Sequence, residues 1–442
     1  EGFLYELNRV YERFQEHLVS NEGPGSNLMR TDDLVAYFSM EFGLHECIPT
    51  YGGGLGVLAG DTLKAASDLS LPVVGVGLIY KYGYFTQRIN LNGQQEEEFL
   101  EFDNHLIPLR EACGPGGEKV VLEIPLRGDN LKIKLWQINV GKITLLLLDT
   151  DLDENPDYLR DITRELYVAD RDKRLEQEFV LGFGGMKALS HMGMEPRLYH
   201  LNEGHSAFLI IARIQQMMNE QNLSLREASS IIRSSTIFTT HTPIAAGNEN
   251  FKTDLVKKYL EPEVEKIGLS FDTFVNLGCI GGDDESFWLP AFAIRFSRYI
   301  NSVSRLHMEV SRKMWSCLFP ERPFAEIPIR YVTNGVHKSW ISENMVNLLN
   351  RYLGPDYIRL GYSSSPDQIM DIPDEQIWDA HRRNKENLVT FIRNKLADDL
   401  SKRGYIESKI LKLIHLFSPS ALTVVFARRF APYKRATLLL RD

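Results

Sequence analysis

Residues 35–89 read VAYFSMEFGLHECIPTYGGGLGVLAGDTLKAASDLSLPVVGVGLIYKYGYFTQRI. Leu34–Phe42 at its start is mostly apolar and reads as a buried strand. Gly52, Gly53, Gly54 and Gly56 follow. Leu55, Leu58, Ala59, Leu63, Ala66 and Leu69 then recur at helical spacing, and Pro72–Tyr80 reads as a second strand. Strand, glycine loop, helix and strand in this order form the unit from which parallel sheets are built. Glycines at such a junction let backbone N–H groups approach a ligand. The helix N-terminus adds a partial positive charge, so the place suits phosphate or a phosphorylated sugar. No Lys-Ser/Thr follows, as a Walker loop requires, and the spacing is not G-x-G-x-x-G. The same glycines serve a tight turn with close helix–sheet packing equally well, and the local sequence leaves both readings open.

Outward from this unit, Phe3, Leu4, Leu7, Val10, Tyr11, Phe14 and Leu18 mark an opening helix. Short alternating segments at 95–150, among them Lys132–Val140 and Lys142–Asp149, read as antiparallel strands inserted into an α/β framework. The βα rhythm then returns. Arg171–Met192 reads as a helix, Arg197–Leu201 as a strand, Ser206–Gln221 as a helix and Thr236–His241 as a strand. Leu289–Trp315 reads as one long helix and Ile327–Thr333 as a strand. The expected division is an α/β lobe over 1–335, a mostly helical connector over 336–416, and the start of a second lobe over 417–442. That start comprises a strand at Leu422–Ala427 and a helix beginning at Lys434–Leu440.

Composition narrows the function. Fifty Lys and Arg against 59 Asp and Glu leave a net charge of −9, which offers no electrostatic footprint for nucleic acid and none for an anionic membrane. The longest apolar run, Ile143–Leu148, is strand-sized. The four cysteines, Cys47, Cys113, Cys279 and Cys317, form no C-x-x-C pair and read as reduced thiols of a cytoplasmic protein.

Polar clusters follow three further strands. They are Asn202-Glu203-Gly204-His205, His241-Thr242-Pro243 and Thr333-Asn334-Gly335-Val336-His337. In open parallel sheets the ligand crevice lies beyond the carboxyl ends of the strands. Any one cluster alone reads as a cap or turn sooner than as a site; it is the coincidence of these three with the glycine loop at a fourth strand end that points to a common pocket. His205 and His241 have no zinc-ligand spacing, so no metal is expected. Arg428-Arg429-Phe430-Ala431-Pro432-Tyr433-Lys434-Arg435 suits an anion, or is a solvated basic turn.

Together these segments resemble the glycogen and starch phosphorylase family, in particular its shorter bacterial and archaeal α-glucan phosphorylases. The resemblance runs in order through residues 35–89, DRDKRLEQEFVLGFGG (170–185), HLNEGHSAFL (200–209), FTTHTPIAAGNENF (238–251), YVTNGVHKSW (331–340) and FARRFAPYKR (426–435). It implies a two-lobed, Rossmann-like glycosyltransferase architecture (GT-B). It also implies reversible phosphorolysis of α-1,4-glucans such as glycogen or maltodextrin by inorganic phosphate, giving glucose 1-phosphate with retention. Pyridoxal phosphate (PLP), whose own phosphate takes part in proton transfer, is the implied cofactor. Residue by residue, Gly53 and Gly54 would set backbone N–H groups against the substrate phosphate, and Leu55 and Glu41 would lie near the glucosyl site. His241 would hydrogen-bond the glucose, its carbonyl facing the developing positive charge at the anomeric carbon. Asn334 would bind a sugar hydroxyl, and Glu203 and His205 would lie near the sugar. Trp340 would approach the cofactor, and Arg429 and Lys434 would hold the attacking phosphate.

Gly52 departs from the Asn of many members, and Ala431 and Pro432 replace bulkier polar residues. The family's cofactor lysine belongs to a motif that the sequence to Asp442 does not include, so the 442 residues alone are expected not to catalyse phosphorolysis. Apolar surface is expected near Leu416–Leu440. Two other readings compete. One is a sugar-nucleotide glucan synthase, for which Tyr51 stands where a lysine is usual. The other is a non-catalytic glucan-binding module using Tyr80, Tyr82, Tyr84 and Phe85 as stacking faces.

Overall fold

The computed structural model describes residues 2–19, 25, 27–48, 50–103, 106–114, 116–281, 285–354, 366–428 and 434–441. They form two compact units: Glu1–Gln87 with Glu97–His337, and Arg88–Glu96 with Lys338–Asp442.

In the first unit the opening helix covers Gly2–Val19. Strand β1 (Val35–Phe38) leads through the glycine loop into a helix at Gly54–Leu69, then into β2 (Val73–Leu78). β1 and β2 are parallel, Val35 opposite Val73. Both are buried almost throughout, as strands covered on two faces must be. β3 (Thr86–Ile89) and β4 (Gln95–Glu98) form a separate ladder whose residues 88–96 count with the second unit; the first unit continues with β5 (Arg110–Glu111), β6 (Val121–Leu126), β7 (Asp129–Val140) and β8 (Ile143–Asp149). They are followed by β9 (Leu198–Asn202), β10 (Thr236–Thr240), a small ladder of β11 (Asn250–Lys252) and β12 (Ser286–Trp288), then β13 (Tyr299–Ser302) and β14 (Ile329–Tyr331).

One mixed sheet runs β14-β13-β10-β9-β1-β2-β8-β7-β5, with β6 also on β7. From β14 to β8 every pairing is parallel; β5, β6 and β7 close one side in antiparallel fashion. β6 alternates exposed and buried residues and turns into β7 through Arg127 (φ 56°) and Gly128 (φ 88°). Two positive φ values match the twist of a two-residue hairpin. The inserted strands expected at 95–150 are therefore present, and β8 doubles as a parallel neighbour of β2. The chain reaches β2 and β8 on one side of β1 and β9, β10, β13 and β14 on the other, which puts the topological switch point at β1 and β9.

The helix expected at 171–192 is present. It runs as Arg171–Phe179 and Gly185–His191 around a π-turn at Val180–Gly184. The turn sits where Gly182 meets the chain at Phe208–Leu209, with no room for a Cβ.

Two expectations are corrected. Leu289–Trp315 is not one helix: it is a helix at Leu289–Arg295, strand β13, and a helix at Arg305–Met314. The Arg298 N–H donates to Thr236 O, which steers Tyr299–Ser302 into the sheet beside β10. The Ser304 hydroxyl then accepts from the His307 N–H and starts a new helix. Leu422–Ala427 forms no strand; β-prone residues need a neighbouring strand, and no described strand pairs with these.

The second unit holds helices at Glu343–Leu353, Asp374–Lys402 and Glu407–Ile414 and 3-10 turns at Lys338–Trp340, Pro366–Asp371 and Ala436–Leu440. Its core is small, formed by Leu348, Ile372 and Ala380. Leu422, Val424 and Val425 are exposed, as the sequence led one to expect of this stretch. No described helix is long and apolar enough to cross a membrane. The cysteines are all free.

Candidate active site

The C-terminal ends of β1, β9 and β10 are neighbours, and their first residues beyond the ladder are polar. Ser39 follows β1, Asn202 ends β9, and Glu203 and His241 come next. Asn202 Nδ2 donates to Ser39 Oγ at 3.1 Å, and Ser39 Oγ donates to the Glu41 carbonyl at 2.8 Å. With its nitrogen so engaged, the Asn202 amide turns Oδ1 toward His241 Nε2, 2.6 Å away. The imidazole therefore carries its proton on Nε2 and keeps Nδ1 as an acceptor. Burial, with His307 and His200 nearby, pushes the His241 pKa down to about 3, so the ring is neutral at physiological pH.

Glu203 holds the backbone of the same strand end. Its Oε2 accepts from the His241 N–H at 2.8 Å and from Thr242 Oγ1 at 3.2 Å, and its Oε1 accepts from the Gly204 N–H at 3.3 Å. The Glu203 N–H donates to Thr239 O at 2.9 Å. These bonds fix a non-glycine residue at φ 72°, a conformation that persists only where the surroundings over-determine it. Burial raises its carboxyl pKa against the opposing effect of these donors.

Glu41 performs a parallel task for the glycine loop. Its carboxylate is fully buried; Oε2 accepts from the Gly52 N–H at 2.7 Å and Oε1 from the Tyr167 hydroxyl. Burial outweighs these bonds and raises its pKa. The loop then delivers Gly53 and Gly54, both exposed, to the start of a helix whose N-cap has no side-chain hydrogen bond. The glycines divide cleanly. A Cβ on Gly52 would meet Tyr84 at 2.9 Å, on Gly56 it would meet Tyr51 at 2.6 Å, and on Gly60 it would meet the Gly43 carbonyl at 2.1 Å. On Gly53 or Gly54 it would meet nothing within 4 Å. Packing thus accounts for Gly52, Gly56 and Gly60, and not for the two residues expected to face phosphate. Leu55 beside them is half-buried.

Asn334 is exposed beyond β14, its N–H on Val303 O at 3.2 Å. Three residues on, the His337 N–H donates to Asp61 Oδ2 at 3.0 Å and His337 Nε2 lies 2.9 Å from Asp68 Oδ2. The segment carrying Asn334 is thereby fastened to the helix that the glycine loop begins.

His205 is buried elsewhere, in an ionic cluster. Its Nε2 is 3.1 Å from Arg174 Nη2, and burial with this cation lowers its pKa to about 3. Glu178, His205 and Glu249 offer ligand atoms within 4.8 Å of one another. Arg174 lies among them, 2.8 Å from Glu249 and 3.6 Å from Glu178, and supplies the positive charge there itself. The Tyr167 ring lies 5.1 Å from the Arg174 guanidinium, so Tyr167 joins this cluster to Glu41. Trp340 and Lys434 belong to the second unit, one about half-exposed and the other half-buried. Arg429 lies outside the described residues.

Sequence reading missed Ser39, Tyr167 and Arg174 as members of the site, and it placed Thr242 in a strand-end cluster without a role of its own. Ser39 and Glu41 carried a signal, polar residues closing an apolar strand. Tyr167 is brought in from 126 positions away, and nothing local marks it.

Comparison with known proteins adds kinship to this geometry. Residues 1–48 match a family described as a protein of unknown function (DUF3417). Maltodextrin phosphorylase of Thermococcus litoralis is 40% identical over 99% of this chain and 52% of its own length. Glycogen phosphorylase of Aquifex aeolicus is 37% identical over 100% of this chain and 63% of its own, and that of Mycobacterium tuberculosis (CDC 1551) 38% over 92% and 48%. The chain thus spans about half to two-thirds of the length of these relatives.

Proposed function

We propose that this chain, a homologue of the maltodextrin and glycogen phosphorylases, forms the glucan- and phosphate-facing part of an α-glucan phosphorylase of the two-lobed GT-B kind. The substrates are an α-1,4-glucan and inorganic phosphate, and the product is glucose 1-phosphate. Residues 1–335 serve as the glucan-binding lobe, 336–416 as a helical connector, and 417–442 as the beginning of the cofactor lobe. The observation that carries the reading is the pairing of a neutral, oriented His241 with a glycine loop whose two exposed members have no packing duty.

In this reading Gly53 and Gly54 bring their backbone N–H groups to phosphate at the helix N-terminus, where the helix dipole favours an anion. Leu55 borders the same place. His241 Nδ1 accepts a hydrogen bond from a glucose hydroxyl, and its carbonyl opposes positive charge at the anomeric carbon. Asn334 takes a second hydroxyl. Glu203 and Glu41 act as positioning residues, one for the His241 backbone and one for the glycine loop. His205 is a support for Glu249 and Arg174 and touches no sugar. Arg429 and Lys434 hold the attacking phosphate.

PLP, when bound, supplies a phosphate group that exchanges protons with the attacking phosphate. The Trp340 indole, as a stacking face, and the Lys434 ammonium, as a cation, suit an anionic aromatic group. The protein expressed from its complete gene, given maltodextrin, phosphate and PLP, is expected to release glucose 1-phosphate. His241→Ala should abolish the release with the fold intact. No release from the unaltered protein, or release that does not depend on phosphate, would contradict the reading.

A further inference from the structure

Four aromatic side chains follow β2, at Tyr80, Tyr82, Tyr84 and Phe85, and their surroundings differ. Tyr80 is fully buried, its hydroxyl donating to Met40 O at 2.8 Å. The Tyr82 ring has the Arg164 guanidinium 5.3 Å from its centroid, and Phe85 is half-buried beside Phe99. Tyr84 alone of the four is exposed, at 37%. Its segment is anchored just upstream, where the Lys81 N–H donates to Thr163 O at 3.2 Å and the Tyr82 N–H to Arg164 O at 2.8 Å. The Tyr84 ring packs on Phe85 with centroids 4.6 Å apart and meets Tyr167 edge-on at 6.4 Å. Tyr167 bonds the same Glu41 carboxylate that holds the Gly52 N–H. The Tyr84 ring also lies against Gly52 itself, where a Cβ would come within 2.9 Å of it. A held, exposed aromatic ring thus stands one residue from Gly53.

The role of this ring rests on the phosphorylase reading, in which Gly53 and Gly54 face phosphate. In that reaction a phosphate oxygen bonds to the anomeric carbon of the terminal glucose. The bond from that carbon to the next ring's oxygen breaks, and that oxygen takes up a proton from the phosphate. Entering and leaving oxygens each come within about 3 Å of one carbon, so the departing ring lies beside the phosphate, at the glycine loop. A glucose ring presents faces of weakly positive C–H bonds, and the face of an aromatic ring is negative. His241 and Asn334 supply hydrogen bonds for sugar hydroxyls, and Tyr84 supplies a flat apolar face next to the loop. We propose that Tyr84 is the stacking face for the departing glucose ring, and so a determinant of how tightly the glucan is held against the phosphate.

The exchange run in reverse tests this, on the protein from its complete gene with PLP, glucose 1-phosphate and maltodextrin. In that direction the stacked ring belongs to the maltodextrin. Tyr84→Leu keeps bulk over Gly52 and removes the flat face. It should raise the KM for maltodextrin about tenfold and leave kcat and the KM for glucose 1-phosphate within about twofold. Tyr84→Phe keeps the ring and should bring the maltodextrin KM back to that of the unaltered protein. A ring that merely props the glycine loop would move both KM values together, and that outcome would overturn the proposal. So would a maltodextrin KM unchanged in Tyr84→Leu, or one raised as far by Tyr84→Phe. An unaltered protein without activity would end the phosphorylase reading and this role with it. An active protein whose variants give any of the three opposing results would end this role alone.

Discussion

Gly53 and Gly60 are seven residues apart in one helical segment and carry different duties. A methyl at position 60 would drive into the Gly43 carbonyl, so Gly60→Ala should cost about 1–3 kcal/mol in urea unfolding. Gly53 has an extended backbone (φ −173°) and open space, so Gly53→Ala should leave stability within about 0.5 kcal/mol. Its phosphate affinity, read by calorimetry on the complete protein, should nonetheless fall at least tenfold. Glu203→Ala would strip the acceptor from the His241 N–H in a buried place, a loss of about 1–3 kcal/mol.

The imidazoles of His200, His205 and His241 have pKa values near 4, 3 and 3, well below the ordinary 6.5. Below pH 6.5 the unfolded chain binds protons that these rings refuse, so their share of stability falls as the pH falls toward 4. Buried Glu41, Glu178 and Glu203, with raised pKa values, act in the opposite sense, since above about pH 4.5 the folded chain keeps protons that the unfolded one releases. An NMR titration should therefore find these three rings neutral at pH 5. At this scale the sequence disclosed the strand-end residues, because their chemistry is unusual beside apolar neighbours. It could not disclose that Glu41 faces backbone N–H groups and His205 a guanidinium, since both depend on partners far away along the chain.

Among the elements, the helix interrupted at Val180–Gly184 shows how packing overrides local regularity. Gly182 would need its Cβ 2.6 Å from the Leu209 N, so the extra residue in the turn goes with a close helix crossing. Gly182→Ala should destabilise the first unit by about 1–3 kcal/mol, measured by thermal or urea melts. The strand–glycine loop–helix–strand unit was legible because its periodicity changes sharply from strand to helix and back. β13 was not: Tyr299–Ser302 is short, lies between apolar helical residues, and shows its nature only in pairing with β10. Leu422–Ala427 fails in the converse way, having strand composition with no described strand beside it.

For the molecule as a whole, the order of strands carries more than any one element. A central β1, entered first and flanked on both sides later, puts Ser39, Asn202 and His241 side by side without any local sequence link. Fold class was legible from the βα rhythm; strand order was not, because crossovers leave no mark in composition. The second unit exposes Leu422 at 91%, Val424 at 66% and Val425 at 70%. Changing all three to Ser should raise the concentration at which light scattering sets in, with no change in melting temperature.

The bare backbone at Gly53 and Gly54 has a practical corollary. A position that accepts a methyl without complaint from its neighbours can be filled deliberately. On the proposed reading, an alanine at both positions would silence anion capture while leaving the scaffold intact, giving an inert twin of the protein. Such a twin would separate what the molecule does by chemistry from what it does merely by being present.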